Sequence, residues 1–271
     1  MLKHCLNMEK QELIKPIVRM GNSACVLLPK AWVDGKARVE LIEKPIDIKK
    51  DLFEILSPYL EDIIGIYLVG SYARGEQTSE SDVDVIVITN NLKKRIEKEK
   101  YEIILISKDS VEKQLKNNIL PLLPMIKESK PLMNASFIES YKNTKLTKRN
   151  LKFHIETTKS AMRVIEESLK LAREMKIKEG DGSAYSLILR LRGVYITDCL
   201  KSNKEWSKKE FLNLIKKISG SLNAYEGYLR IKANKKAKDE LLVEEAQKLH
   251  DYIIKRIKQQ EVWIKNKENN K

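Results

Sequence analysis

The sequence predicts an α+β protein in three parts: a small N-terminal β module over residues 1–48, a central mixed α/β domain over 49–144 and a C-terminal helical bundle over 145–271. Three observations carry this. β-favouring runs broken by turn residues crowd positions 14–42, and apolar runs of strand length alternate with helical stretches in the middle. Beyond Asn143 the apolar residues recur at helical spacing.

In the N-terminal module the runs IKPIVRM, ACVLLP and ARVELIE are separated by Gly21-Asn22-Ser23 and Asp34-Gly35, which predicts three or four short strands joined by tight turns. So few strands bury little surface, so the module is expected to need a second copy or a neighbouring domain. After Pro45, Asp51 to Asp62 reads as a helix with Leu52, Ile55, Leu56 and Tyr59 on one face, kinked or restarted at Ser57-Pro58. The run IIGIYLVG reads as a buried strand ending at Gly70, DVDVIVIT as a second strand, Leu92 to Lys100 as a charged helix and YEIILI as a third strand. From Thr147 onward the chain reads as four or five helices, with turns near Glu179–Ser183, Lys201–Lys204, Ser219–Ser221 and Lys232–Asp239. One start is well marked: Ser207 and Glu210 form a capping box, with Trp206 and Phe211 at the positions of a hydrophobic staple.

The 271 residues carry 52 Lys/Arg against 38 Asp/Glu, a net charge of +14. From Lys145 to the end there are 30 Lys/Arg and 17 Asp/Glu, so a net +13 sits in the helical half. A field of that sign favours polyanions: a nucleotide's phosphates, or nucleic acid, DNA or RNA. The same excess also suits an ordinary Lys-rich surface. Cys5, Cys25 and Cys199 are far apart, odd in number and show no metal-ligand spacing, which argues against a disulfide framework and a zinc site. With no signal-like start and no apolar stretch long enough to span a bilayer, the expectation is a cytoplasmic protein with no membrane partner.

The chemistry is concentrated in VGSYARGEQTSESDVDVIV, residues 69–87. Asp82 and Asp84 are two apart on a predicted strand, so both carboxylates project from one face while Val83, Val85 and Val87 project from the other. Adjacent carboxylates repel unless a cation lies between them, and an oxygen-only donor set suits Mg²⁺. Gly70-Ser71, where a strand turns into a helix, offers backbone N–H groups and a hydroxyl to a phosphate, and Arg74 one turn later can add charge. The bland alternative is a tight turn followed by two solvated strand-end acids.

The same string resembles the polymerase-β-type nucleotidyltransferase superfamily, and its minimal members in particular: an apolar residue, Gly-Ser, ten residues, then Asp-x-Asp between apolar residues, with Ala-Arg-Gly-Glu in between. The resemblance implies that Asp82 and Asp84 hold two Mg²⁺ ions and that Gly70, Ser71, Arg74 and Ser81 bind a nucleoside triphosphate, with ATP the first choice. It further implies a third acid on the following strand. Glu102 occupies that place as a catalytic residue and metal ligand, although Asp is commoner there. The activity implied is transfer of a nucleoside monophosphate to a hydroxyl of RNA, a protein or a small molecule.

Two further resemblances concern the ends. RMGNSACVLLPK resembles the AbrB/SpoVT-like DNA-binding family, which implies a homodimer with Arg19, Asn22 and Lys30 near DNA. The second half of that module is shorter than the usual pattern, and Cys25 stands where Gly is common. The helical half is similar to HEPN-type domains, but no His follows Arg190 or Arg192 at the spacing of their ribonuclease motif, so the expectation is acceptor binding or assembly. The competing class is a DNA-binding regulator or antitoxin-like protein whose central domain senses nucleotide.

Overall fold

In the computed structural model the described residues are 12–42, 46–79 and 81–269. They fall into two compact units, within residues 1–51 and 52–271.

The first unit contains an antiparallel hairpin of β1 (Ile17–Met20) and β2 (Ser23–Val26), with Val18 opposite Cys25 and Arg19 opposite Ala24. The two-residue turn Gly21-Asn22 is enabled by Gly21 at a φ of +58°. A 3₁₀ turn follows at Lys30–Trp32. The run at 37–42, expected as a strand, has no regular secondary structure, and the rest of that run lies outside the described residues. Polar residues alternate with Val39 and Leu41 there, but no partner strand answers them among the described residues of this unit. None of residues 12–42 is buried, and Ile17, Val18, Met20, Leu27 and Leu28 are all exposed.

A helix, α1 (Ile48–Leu56), leads out of the first unit and runs into a 3₁₀ turn at Ser57–Asp62 with Pro58 in its first turn. The second unit then builds a mixed sheet. β3 (Ile63–Leu68) is followed by the short helix α2 (Gly70–Arg74), β4 (Val83–Thr89), β5 (Lys94–Lys98) and β6 (Tyr101–Ser107). Helices α3 (Lys108–Asn117) and α4 (Leu123–Glu128) precede β7 (Lys130–Met133) and α5 (Ala135–Lys142). The strand order is β5-β6-β4-β3-β7, with β4 and β6 parallel and the other pairs antiparallel.

The stretch expected as a charged helix, Leu92 to Lys100, is instead the edge strand β5 and its turn. Its charges misled because they suit either state. Here they protect a sheet edge from pairing with another chain, while Ile96 is the half-buried residue and Arg95 reaches across to Glu102 on β6.

Five helices complete the described chain: α6 (Lys148–Met175), α7 (Asp181–Lys201), α8 (Lys208–Ser219), α9 (Asn223–Lys232) and α10 (Val243–Asn269). α6 starts where Thr147 accepts from the Asn150 N–H and returns its own N–H to the Asn150 side chain. The expected box at Ser207 is only half made. Ser207 accepts from the Glu210 N–H, but the Glu210 carboxylate takes the Tyr195 hydroxyl, which itself accepts the Ser207 N–H. One apolar core runs from Tyr67, Ile86 and Ile88 of the sheet through Leu151, Met162, Leu187 and Leu191 to Ile253 and Ile264. Among the described residues no helix is long and apolar enough to cross a membrane.

Where α6, α7 and α10 meet, His154 is 6% exposed, and a Cβ on Gly193 would come within 2.9 Å of its Cε1, so only glycine lets the two helices approach. Burial pushes the His154 pKa down to about 4; the Arg190 cation adds to the fall, while Gln260 and Asp198 oppose it. The folded value lies below the unfolded one of about 6.5, so this stability is complete above pH 6.5 and drains away as pH falls towards 4. The loss is expected to reach about 3 kcal/mol. Chemical unfolding at pH 7 and pH 4.5 checks this: His154→Leu should lose markedly less stability between the two than the unaltered chain.

Candidate active site

The site grows from the junction of β3 with α2. Val69 is extended and donates its N–H to the Asp84 carbonyl (2.9 Å), which ties the end of β3 to the start of β4. Gly70 then turns the chain at a φ of +69°, a region that strongly favours glycine. It also makes room: a Cβ there would overlap the Asp84 carboxylate, whose Cγ would lie 2.9 Å away. Two residues 14 positions apart are therefore in contact because one of them has no side chain. Gly75, left-handed at +73°, closes α2, and the Glu76 N–H returns to the Ser71 carbonyl.

The loop into β4 is shaped by its own side chains. Ser81 Oγ accepts the Thr78 N–H, Ser81 donates its N–H to the Thr78 carbonyl, and Lys100 Nζ holds the Ser79 carbonyl. Ser81, expected at the nucleotide, is thus occupied with the loop, and Glu80 lies outside the described residues. Asp82 is exposed and sits just before β4 rather than within it. Asp84 is half-buried on the strand, and the parallel register sets it beside Glu102 on β6. Glu102 also pairs with Arg95 at 3.1 Å.

The Asp84 carboxyl is pushed up to about 6, first by burial and then by Glu102, Asp82 and Glu128, with Lys232 on α9 pulling the other way. Asp82 and Glu102, expected beside Asp84, thus both bear on its carboxyl, and Glu128 does so as well. Among the described residues no three His, Cys, Asp or Glu side chains are gathered closely enough to hold a metal as they stand. The donor set nevertheless fits a divalent cation: it is all oxygen, and its repulsion on Asp84 is what a hard cation between carboxylates would relieve.

Arg74 has three neighbours. Its Nε meets Glu76 at 2.8 Å, its NH1 meets Glu128 at 2.7 Å, and its guanidinium lies 4.0 Å from the centre of the Trp206 ring. Burial works against its charge, yet the two carboxylates raise its pKa overall. Arg192 approaches the same indole at 5.2 Å, whereas Arg190 turns to Thr157. Glu128, Trp206 and Lys232 were not anticipated at this site from the sequence; Trp206 was marked only as part of a hydrophobic staple.

Arg19, Asn22 and Lys30 are exposed in the first unit, where Arg19 Nε donates to the Gly21 carbonyl at 3.2 Å.

A glycine-serine turn thus lies directly against the Asp84 carboxylate at the end of a mixed sheet, an all-oxygen and backbone N–H donor set of the kind that suits phosphates and hard cations. The family model described as "Nucleotidyltransferase domain" matches residues 49–165. A protein of Methanocaldococcus jannaschii, named "Putative protein adenylyltransferase MJ0141", is 37% identical over 105 residues, which span 39% of this chain and 95% of that one. The chain belongs to the nucleotidyltransferase family. Two solved structures are more distant in shape. A nucleotidyltransferase-like protein from Exiguobacterium sibiricum superposes with a TM-score of 0.37 at 13% identity, covering 78% of this chain and 75% of that one. Spectinomycin adenyltransferase AAD(9) from Enterococcus faecialis, solved with ATP and spectinomycin, gives 0.38 at 15%, covering 78% and 96%.

Proposed function

We propose that the chain transfers a nucleoside monophosphate from a nucleoside triphosphate to an acceptor hydroxyl at the Gly70–Asp84 site. The observation that carries this reading is the contact between the Gly70 turn and the Asp84 carboxylate, which puts a phosphate seat and a cation seat side by side. In this reading Asp82, Asp84 and Glu102 would hold Mg²⁺, two ions by family resemblance, and Gly70, Ser71 and Arg74 would receive the triphosphate, while Ser81, expected there from the resemblance, shapes the loop instead. Mg²⁺ bound there would neutralise charge between the carboxylates and the phosphates and would polarise the α-phosphate.

The chain's own residues do the rest. The Gly70-Ser71 turn and Arg74 orient the triphosphate so that its α-phosphorus faces the acceptor. The acceptor oxygen bonds to that phosphorus, the bond to the bridging oxygen breaks, and pyrophosphate leaves with the electron pair. The acceptor's proton goes to Glu102. The Methanocaldococcus relative's name favours an adenylyl donor, ATP, and a protein acceptor. Labelled ATP, Mg²⁺ and a cell lysate test this: label is expected on a protease-sensitive product. Label removed by ribonuclease would move the acceptor to RNA.

A second role belongs to the first unit. Its exposed apolar hairpin supports a homodimer, and Arg19, Asn22 and Lys30 support DNA binding. Retention on duplex DNA that falls steeply with salt is the expected behaviour; retention indifferent to salt and to Arg19→Ala would rule it out.

A further inference from the structure

We propose that Glu128 is a positioning residue for the nucleotide: its carboxylate clamps the Gly70 turn and Arg74 in the orientation that receives the triphosphate, and Trp206 closes the clamp from the helical half. The inference rests on the nucleotidyl-transfer reading and deepens it.

Both oxygens of Glu128 are in use. Oε1 accepts the Gly70 N–H at 2.9 Å and Oε2 accepts Arg74 NH1 at 2.7 Å. The side chain is 9% exposed, and it sits 58 residues after Gly70 and 54 after Arg74 in the chain. Its place is fixed by the sheet. β7 begins two residues later, with Lys130 opposite Leu68 and Pro131 opposite Tyr67, so the end of α4 is delivered to the end of β3.

Arg74 has two further neighbours. Glu76 takes its Nε, and the other Glu76 oxygen accepts the Ser207 hydroxyl at 3.0 Å. Trp206, the neighbour of Ser207, covers the guanidinium face. The turn, the arginine and the start of α8 are therefore linked through one continuous set of contacts.

Stability alone does not account for a carboxylate here. A buried ion pair contributes little net stability. Glu128 also adds a negative charge at the Gly70 turn, against which the Asp84 carboxylate already lies. A glutamine could accept the Gly70 N–H without that cost. What only the carboxylate supplies is a charged, two-point hold that fixes Arg74 relative to the turn.

The test uses the full chain, titrated calorimetrically with each of the four nucleoside triphosphates plus Mg²⁺, as unaltered protein, Glu128→Gln, Arg74→Gln and the double variant, with melting temperatures and label transfer measured beside it. Glu128→Gln is expected to weaken the nucleotide Kd roughly tenfold or more, the usual cost of losing a group that orients a ligand-binding residue. Because Glu128 acts through Arg74, the double variant should bind no more weakly than Arg74→Gln alone. A purely structural role would lower the melting temperature and leave Kd unchanged, which would overturn the proposal. Tighter binding by Glu128→Gln would overturn it too, because the carboxylate would then be a competitor for the phosphate seat. Additive losses in the double variant would do the same. If the unaltered chain binds nucleotide but transfers nothing, the transfer reading fails and the clamp is still decided by these Kd values. If it binds no nucleotide, both fail.

Discussion

Asp84→Asn is expected to lower transfer on the order of a thousandfold, the scale seen when a group that stabilises transition-state charge is removed. The fold should not suffer. Asp84 is raised to about 6 by burial and by three neighbouring carboxylates, so its charge is disfavoured in the fold at neutral pH. Removing that charge, discounted for partial exposure, is worth on the order of 1 kcal/mol, or a rise in melting temperature of about 2–4 °C without metal. Activity and stability are thus expected to move in opposite directions, as they do where function demands an unfavourable cluster. Asp82→Asn should also abolish transfer while leaving the melting temperature nearly unchanged, because Asp82 is exposed. A loss of both activity and fold in Asp84→Asn would assign it a packing role instead. Pyrophosphate release and thermal unfolding, measured on the same samples, separate the two.

Gly70→Ala should damage both properties. At a φ of +69° a Cβ costs about 1–2 kcal/mol on backbone grounds, and its overlap with the Asp84 carboxylate adds about 1–3 kcal/mol of crowding. The carboxylate must move to relieve that overlap, so transfer is expected to fall along with stability. Gly75→Ala is the control. It has a similar φ of +73° but nothing within 4 Å of the added methyl, so it should cost about 1–2 kcal/mol and leave transfer intact. Equal activity losses in the two variants would show that backbone strain, and not the Asp84 contact, is what matters at Gly70.

The parts of this site that could be read in the sequence are those whose geometry is local. Gly70-Ser71, Asp82 and Asp84 lie within fifteen residues, and period-two alternation separates Asp84 from Val83 and Val85. Glu102 was named only because the family resemblance implies a third acid on the following strand, and the parallel register does set it level with Asp84. Glu128 was not, since only the pairing of β7 with β3 brings it to Gly70, and β7 is a four-residue strand containing Pro131 that carries no alternating pattern. Trp206 carried only the local reading of a hydrophobic staple, and nothing in the sequence brings the Arg74 guanidinium of α2 to its ring. Lys232 ends a helix whose direction is set by the bundle.

The long helices were legible because an apolar stripe repeated over many turns is a strong signal: Leu151, Ile155, Met162, Ile165 and Leu169 are all buried on α6. The edge strand β5 was not, because five mostly charged residues satisfy a helical surface and a sheet edge equally well. Only the position of Arg95 opposite the strand that carries Glu102 decides between them.

The most direct test of the site is to incubate the full chain with Mg²⁺, each α-³²P-labelled nucleoside triphosphate and a cell lysate, beside the Asp82→Asn/Asp84→Asn double variant. Label on a macromolecule with the unaltered chain, and none with the variant, is the expected result. Equal labelling by both, or none from any nucleotide although the nucleotide binds, would contradict a nucleotidyl-transfer site at Gly70 and Asp84.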